Sequence, residues 1–160
     1  MPFAMFRDYF PEISKAETRN IAIFKESDMN LPAGNYTFLE MYCDEPGCDC
    51  RRVFLYVVSD RNKGVEAVIT YGWESPEFYA NWMNNDDPYI VAALKGPSLN
   101  LGSPQSKQAP ALLELVRTVL LQDKAYLERI KRHYSMFRQK IDGYARTGPR
   151  YSSKKKGQKN

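Results

Sequence analysis

All three cysteines of this 160-residue chain lie within eight residues. Cys43, Cys48 and Cys50 have the spacing C-x4-C-x-C, and Pro46-Gly47 stands between the first and the second. Thiolates are soft ligands that bind zinc and similar ions, and a Pro-Gly turn lets such a loop fold back so that its sulfur atoms converge. The spacing therefore predicts a metal site, with zinc (Zn) as the expected cofactor.

A tetrahedral zinc site needs a fourth ligand. The chain contains a single histidine, His133, and we expect it to complete a structural Cys3His site with the three cysteines. The alternatives for this position are Asp44, Asp49, a water molecule or a thiolate from a second protomer. A protein ligand in the fourth position closes the site and makes it structural, whereas a water molecule leaves it open for catalysis.

The same cysteines allow two other interpretations. Cys48-Asp49-Cys50 can form a C-x-C disulfide, and the neighbouring Arg51 and Arg52 favour a thiolate, so a small metal- or thiol-dependent enzyme is the alternative function. The acidic residues of the loop oppose this, because their charges disfavour a further negative group. In the second interpretation the cysteines bind no metal and are small buried hydrophobic residues at the end of a strand.

One part of the segment has a counterpart in a known motif. Cys48-Asp49-Cys50 resembles the C-x-C pair of the SEC-C metal-binding motif. The later Cys-Cys or Cys-His pair of that motif is absent after Arg51. The resemblance is therefore confined to three residues and implies no function for the chain.

Length and composition predict one domain. A chain of 160 residues with 43% hydrophobic residues can bury a single core, and we expect residues 1–145 to form it, with a basic flexible tail at 146–160. No apolar run approaches the ~20 residues that cross a bilayer, and the first residues lack the features of a signal peptide. We therefore expect a cytoplasmic protein with no membrane contact, in which thiols stay reduced and free to bind metal.

Alternating hydrophobic residues predict an antiparallel sheet of about four strands. The strands are expected at residues 21–24, 35–43, 51–59 and 65–71, joined by short turns. The strand at 51–59 is apolar on both sides and is expected to be central. The cysteine loop is then the tip of a hairpin. Residues 1–20 show no sustained period and are expected to form an irregular arm.

Helices in the second half of the chain are expected to cover this sheet, which gives an α+β fold. Ser75 and Pro76 begin the first, and apolar residues at helical spacing predict others near 88–94 and 111–121. The last helix begins after Asp123 as its N-cap. His133 lies at the edge of the apolar face of that helix, so we expect the helix to bring it to the cysteines.

The charge is uneven along the chain. Residues 124–160 carry 12 Lys or Arg against two acidic residues, a balance of +10, while the first 123 residues carry a balance of −6. The basic region either neutralises the acidic part or binds nucleic acid or an acidic partner without sequence specificity. Its candidate contacts are Lys131, Arg132, Arg138, Lys154, Lys155 and Lys156.

The function predicted from the sequence is therefore that of a small zinc-binding protein that acts as an interaction or nucleic-acid-associated module. The chain has no Gly-rich phosphate loop, no nucleophile elbow and no H-E-x-x-H pair. No catalytic residue is predicted for this reason.

Overall fold

A computed structural model describes residues 2–25 and 29–147, without the side chains of residues 144–147. Within these ranges, strands and helices form an α+β fold, as predicted. In chain order the elements are β1 (Phe3–Met5), α1 (Phe6–Tyr9), α2 (Pro11–Glu17), β2 (Arg19–Ile23), β3 (Gly34–Cys43), β4 (Arg52–Ser59), β5 (Val65–Gly72), α3 (Pro76–Met83), α4 (Pro88–Lys95), β6 (Ser98–Leu99), α5 (Ala109–Thr118), a 3-10 turn (Leu120–Gln122) and α6 (Lys124–Thr147).

The sheet is antiparallel throughout, in the order β1-β3-β4-β5-β6, with β2 also paired to β3. The four predicted strands correspond to β2, β3, β4 and β5, and the short strands β1 and β6 extend the sheet to six. Both β1 and β2 pair with the same strand, β1 with residues 41–43 and β2 with residues 34–38. The strand β4 is central, as its apolar pattern predicted.

The N-terminal segment is more ordered than the sequence predicted. Residues 1–20 were expected to form an irregular arm, but they contribute β1, α1, α2 and the start of β2. These helices have four and seven residues, which is too short for a hydrophobic period to be visible. They connect two strands on one edge of β3 and therefore lie beside the stretch of β3 that neither strand covers.

The last helix, α6, spans 24 residues and is therefore about 36 Å long. Asp123 caps it as predicted, because its Oδ1 accepts hydrogen bonds from the amides of Ala125 at 3.0 Å and Tyr126 at 3.3 Å. The helix continues to Thr147, two residues beyond the predicted domain boundary at 145. Its buried hydrophobic residues recur at helical spacing: Tyr126, Ile130, Tyr134, Phe137 and Ile141.

Helix α6 packs against the face of the sheet that carries the core. Tyr36, Phe38 and Tyr42 alternate along β3 and are fully buried. The hydroxyl of Tyr42 donates to the carbonyl oxygen of Ile130 at 3.1 Å, which places the first third of α6 over the end of β3 that leads into the cysteine loop. Among the described residues, no helix combines the length and the apolar character needed to cross a bilayer.

Candidate metal centre

The cysteine loop, residues 43–50, joins two paired strands and is the tip of a hairpin, as predicted. Cys43 is the last residue of β3, and the loop turns where the amide of Cys48 donates to the carbonyl oxygen of Glu45 at 3.1 Å. Gly47 has φ 77°, in the left-handed region that glycine adopts without strain. A proline before a glycine of this conformation is typical of a type II turn. This turn returns the chain toward Cys43.

The turn brings the three sulfur atoms together. The Sγ atoms of Cys43, Cys48 and Cys50 all lie within 4.8 Å of one another, and the three thiols are free. A zinc ion with Zn–S bonds of about 2.3 Å holds its sulfur ligands about 3.8 Å apart, so side-chain rotation is sufficient to close the site. Cys43 and Cys50 are fully buried and Cys48 is half-buried. The three cysteines can therefore hold a metal ion.

The contacts among the three thiols shift their pKa values in different directions. Hydrogen bonds from the thiols of Cys48 and Cys50 hold the pKa of Cys43 far below its ordinary value, and the nearby Arg138 adds to this. The same contacts raise the pKa of Cys48 and of Cys50. The amide of Glu45 also points at the sulfur of Cys43, at 3.4 Å. These directions favour negative charge on Cys43 over the other two cysteines.

Helix α6 fixes the outer part of the loop. The guanidinium of Arg138 donates to the carbonyl oxygens of Cys48 and Glu45, each at 3.2 Å. One turn further along the helix, Oδ1 of Asp142 accepts a hydrogen bond from the amide of Gly47 at 2.7 Å. Residues four apart lie on the same face of a helix, so these two side chains hold both ends of the turn. The loop is therefore preorganised before any ligand binds.

The inner end of the loop is held in a less common conformation. Arg51 has φ 50°, which is unusual for a residue other than glycine. Its amide donates to the hydroxyl of Tyr134 at 3.1 Å, and its carbonyl oxygen accepts from the hydroxyl of Tyr79 at 2.8 Å. Gly72 makes room for this contact, because a Cβ there would overlap the hydroxyl of Tyr79. Two tyrosines from different helices thus fix the backbone next to Cys50.

Two buried arginines lie close to the sulfurs. Arg52 is 7% exposed and Arg138 is 8% exposed. Arg52 donates to the carbonyl oxygen of Leu94 at 2.9 Å, and burial lowers its pKa while the cysteine sulfurs oppose this. The nearest carboxylate oxygen to Arg138 belongs to Asp142, at 3.6 Å. Both guanidinium groups are hydrogen-bonded to neutral carbonyl oxygens, so their positive charge favours an anionic group at the cysteines.

His133, predicted to be the fourth ligand, belongs to a different cluster. Its Nδ1 lies 2.7 Å from Oε1 of Glu40, and its Nε2 lies 2.7 Å from Oε1 of Glu17. The imidazole ring stacks on Phe6 with 4.3 Å between ring centroids. Carboxylates occupy both nitrogens that a metal could use, and neither nitrogen is among the ligand atoms that meet at the cysteines. The structure therefore does not bring His133 to the metal centre.

We call Glu17, Glu40, Tyr42 and His133 the His133 cluster. The hydroxyl of Tyr42 lies 2.6 Å from the same Glu40 oxygen that contacts the histidine. Burial and the Glu40 carboxylate raise the pKa of Tyr42 well above its ordinary value, so this hydroxyl stays a donor. The His133 hydrogen bond is the main reason that the pKa of Glu17 is lowered, and Arg132 adds to it.

Sequence reasoning missed both carboxylates of this cluster. Glu40 alternates with Phe38 and Tyr42 on the core face of β3, and an acidic residue in such a pattern indicates a buried partner. The chain has one histidine, so His133 was the natural candidate for that partner. No comparable signal identifies Glu17, because it comes from a helix that the sequence did not predict.

The two aspartates that were alternatives for the fourth ligand, Asp44 and Asp49, do not join the cysteines either. Both carboxylate oxygens of Asp49 bind Arg51, at 2.9 Å each. Neither Asp49 nor Asp44 contributes an oxygen to the group of ligand atoms around the cysteines. Among the described residues, the chain thus supplies three ligand atoms to this centre.

The predicted basic contacts have different environments. Arg138 is buried against the cysteine loop, which corrects its assignment as a nucleic-acid contact, because its guanidinium is turned inward. Arg132 is exposed but binds Glu17 at 3.0 Å, and Lys131 is exposed. Residues 154–156, the predicted lysine run, lie outside the described residues. Of the six predicted contacts, Lys131 and Arg132 are those that the described surface presents to solvent.

A cavity of about 450 Å³ lies between the cysteine loop and α6. Asp49 and Arg51 line it from the loop side, and Tyr134 and Arg138 line it from the helix. The ring of Trp73 meets that of Tyr134 edge to face, with 5.1 Å between centroids, and forms an aromatic wall. The remaining lining residues are Glu74, Lys131, Ser135 and Gln139.

Comparisons with protein-family models, with curated proteins and with solved structures find no match to this chain. The functional argument therefore depends on the residues and on their geometry.

Proposed function

We propose that this chain is a zinc-binding module in which Cys43, Cys48 and Cys50 bind the ion. The observation that carries the proposal is the convergence of three free thiols within 4.8 Å at the tip of a hairpin. Bound zinc would join the end of β3 to the start of β4. Because α6 already contacts the same loop through Arg138 and Asp142, the metal would also stabilise the packing of that helix.

Thiolate chemistry supports zinc. Soft sulfur ligands select zinc, Cu(I) or iron–sulfur clusters, and Zn²⁺ adapts to the geometry that a protein offers because it has no preference from d-electrons. A disulfide is a poorer use of the same residues, because pairing any two of three cysteines leaves the last unpaired.

The charge near the loop supports a metal–thiolate group as well. Zn²⁺ with three thiolates has a net charge of −1. Arg52 and Arg138 are both buried and are hydrogen-bonded to neutral carbonyl oxygens. A buried charge is costly unless an opposite charge lies near it. Asp142 already pairs with Arg138, so an anionic centre at the cysteines would mainly lower the cost of burying Arg52.

We place the interaction role of the module on the exposed side of α6, where Lys131 and Arg132 lie. Two lysines or arginines give weak binding to a phosphate backbone, and such binding falls steeply with salt. Binding to a single-stranded oligonucleotide, followed by fluorescence anisotropy at rising salt, tests this role. Lys131→Glu should weaken it, and Glu128→Lys, at an exposed position on the same helix, should strengthen it.

Metal analysis tests the metal site directly. Protein purified with zinc present, then dialysed against metal-free buffer, should contain one zinc ion per chain by elemental analysis. Its three cysteines should react slowly with a thiol reagent until a chelator is added. Cys48→Ser should lose the metal, and because Cys48 is half-buried this variant should still fold.

The matched control for this experiment is His133→Ala, which should keep its zinc. Its result separates the three-cysteine centre from the Cys3His centre that the sequence predicted. A wild-type protein with no bound metal and three freely reactive cysteines under native conditions would reject the proposal.

A further inference from the structure

We infer that the metal at Cys43, Cys48 and Cys50 takes its fourth ligand from outside the chain, and that this ligand is a thiolate. The inference depends on the proposed zinc site and deepens it, because it names what the site binds. Such a site is an open metal centre that recognises a small thiol or a cysteine of another polypeptide.

The first step is a count of the ligands that the chain can offer. Zinc in proteins is almost always four-coordinate, with sulfur, imidazole nitrogen or carboxylate oxygen as ligands. The chain has three cysteines and one histidine, so no further thiol or imidazole exists beyond His133. Both ring nitrogens of His133 contact carboxylates. No Asp or Glu oxygen of the described residues joins the three sulfurs.

The second step is the charge of the surroundings. Asp142 already pairs with the guanidinium of Arg138 at 3.6 Å, and three thiolates on Zn²⁺ would offset the charge of the buried Arg52, which donates to the carbonyl oxygen of Leu94. In addition, Nε of Arg138 is buried and has no hydrogen-bond partner among the described residues. A thiolate in the fourth position matches the softness of the other three ligands, which a water molecule does not.

The third step is access. Cys43 and Cys50 are fully buried, whereas Cys48 is half-buried, so the sulfurs are approached from the side of Cys48. The cavity of about 450 Å³ is lined by two neighbours of Cys48, namely Asp49, which follows it, and Arg138, which donates to its carbonyl oxygen, although the cysteines themselves do not line it. A small thiol or a single cysteine side chain is much smaller than this volume.

The binding step balances without a redox partner. The incoming thiol releases its proton to solvent, and a lone pair of its sulfur forms the new bond to zinc. A water molecule leaves the fourth position, if one was bound there. No atom is oxidised or reduced.

Cobalt substitution tests the inference. Protein reduced with a phosphine, which supplies no thiol, is loaded with Co²⁺, whose sulfur-to-metal absorption grows with the number of Co–S bonds. Three bonds are expected before addition of 2-mercaptoethanol and four after it, so the absorption should rise in the ratio of three to four. The visible bands should shift at the same thiol concentration.

Two variants locate the entry route. Ser135→Trp places a large ring in the cavity and should weaken the response to 2-mercaptoethanol while Co²⁺ remains bound. Glu128→Trp places the same ring at an exposed position of α6 that does not line the cavity, and should leave the response unchanged.

The outcomes distinguish the source of the thiolate. A four-thiolate spectrum before any thiol is added, together with a doubled mass in light scattering, identifies a second copy of the chain as the donor and supports the inference. Because each copy has only three cysteines, such a donor sulfur would bridge the two metal ions. Bound Co²⁺ with three thiolates and no response to millimolar 2-mercaptoethanol overturns the inference but leaves the metal site standing. Failure to bind Co²⁺ at all overturns the proposed function itself.

Discussion

Two buried polar groups of this chain contact α6: the cysteine loop and the His133 cluster. In the His133 cluster both carboxylates have hydrogen-bond partners. Glu40 is hydrogen-bonded to Tyr42 and His133, and Glu17 is hydrogen-bonded to His133 and Arg132. In the cysteine loop three thiols face one another, and of the two buried arginines beside it, Arg138 pairs with Asp142 at 3.6 Å while Arg52 donates only to a carbonyl oxygen. The first cluster is complete within the chain, whereas the three cysteines of the second are close enough to hold a metal ion.

The difference separates buried polar groups that stabilise the fold from buried polar groups that are available to bind a ligand. Each of the four residues of the His133 cluster is hydrogen-bonded to another member of that cluster, so the cluster needs nothing from solvent. Buried polar groups without hydrogen-bond partners lower the stability of the fold unless a ligand supplies those partners. We therefore expect variants of the His133 cluster to change stability at constant metal content, and variants of the cysteine loop to change both together.

The largest effect is expected for Cys43→Ser. A metal present at about 1,000 times its Kd stabilises the folded state by about 4 kcal/mol, and a buried hydroxyl in place of the sulfur adds about 1 kcal/mol or more of loss. The free energy of unfolding in zinc buffer should therefore fall by about 5 kcal/mol, measured by urea denaturation. In the presence of a chelator, wild type and variant should differ by far less. Equal losses with and without chelator would reject a metal contribution.

The next effect is that of His133→Ala. Removing His133 takes a hydrogen-bond partner from the buried carboxyl of Glu40 and a stacked ring from Phe6, which together cost about 3 kcal/mol or more. Urea denaturation should show this loss, while elemental analysis shows unchanged zinc. Met136→Ala, at a half-buried position of the same helix, is the control for lost packing and should cost less. A loss of zinc in His133→Ala would restore the Cys3His site and remove the distinction between the two clusters.

The sequence predicted those parts of the fold that depend on local pattern. The alternation in β3 and β4, the caps Ser75 and Asp123, and the position of the cysteine loop at a hairpin tip follow from side-chain period and from turn chemistry. They are set within a few residues of sequence, so a single chain contains the information.

The partner of His133 depends on contacts between distant segments. Glu17 and Glu40 lie 116 and 93 residues from His133 in sequence, and one of them belongs to a helix too short to show a period. The sequence offered two groups of partners for a lone histidine, the cysteines and the acids. Counting ligand types favoured the cysteines, whereas the fold brought the acids to the imidazole.

A smaller effect on stability is expected for two Tyr→Phe variants. One removes a hydroxyl that has a hydrogen-bond partner, and the other removes a hydroxyl that has none among the described residues. In Tyr42→Phe, Glu40 loses a hydrogen bond of 2.6 Å, and bonds to charged groups contribute about 1.5–3 kcal/mol. The hydroxyl of Tyr126 is buried with no partner among the described residues, so Tyr126→Phe should be neutral or raise stability by up to about 1 kcal/mol. Thermal and urea unfolding of both variants test this contrast. Similar losses in the two would mean that the His133 cluster is not the source of the effect.

The smallest effect concerns the pH dependence of stability through Glu17. The hydrogen bond from His133, with help from Arg132, lowers the pKa of this carboxyl below its ordinary value of 4.5. A carboxyl whose pKa is lower in the folded state stabilises the protein above about pH 4.5, and this contribution is lost as the pH falls through the folded-state pKa. Glu17→Gln should therefore flatten the decline in stability below about pH 4.5.

Because a third of the Glu17 side chain is exposed, solvent screening should keep this difference below about 1 kcal/mol. Urea denaturation at several pH values from 7 to 3 measures it, with Glu12→Gln on the exposed face of the same helix as the control. Glu12→Gln should follow the wild-type curve, and Glu17→Gln should converge on the wild type only at the acid end. Parallel curves for wild type and Glu17→Gln over the whole range would mean that the Glu17–His133 contact contributes nothing to folding, and that Glu40 alone holds the imidazole.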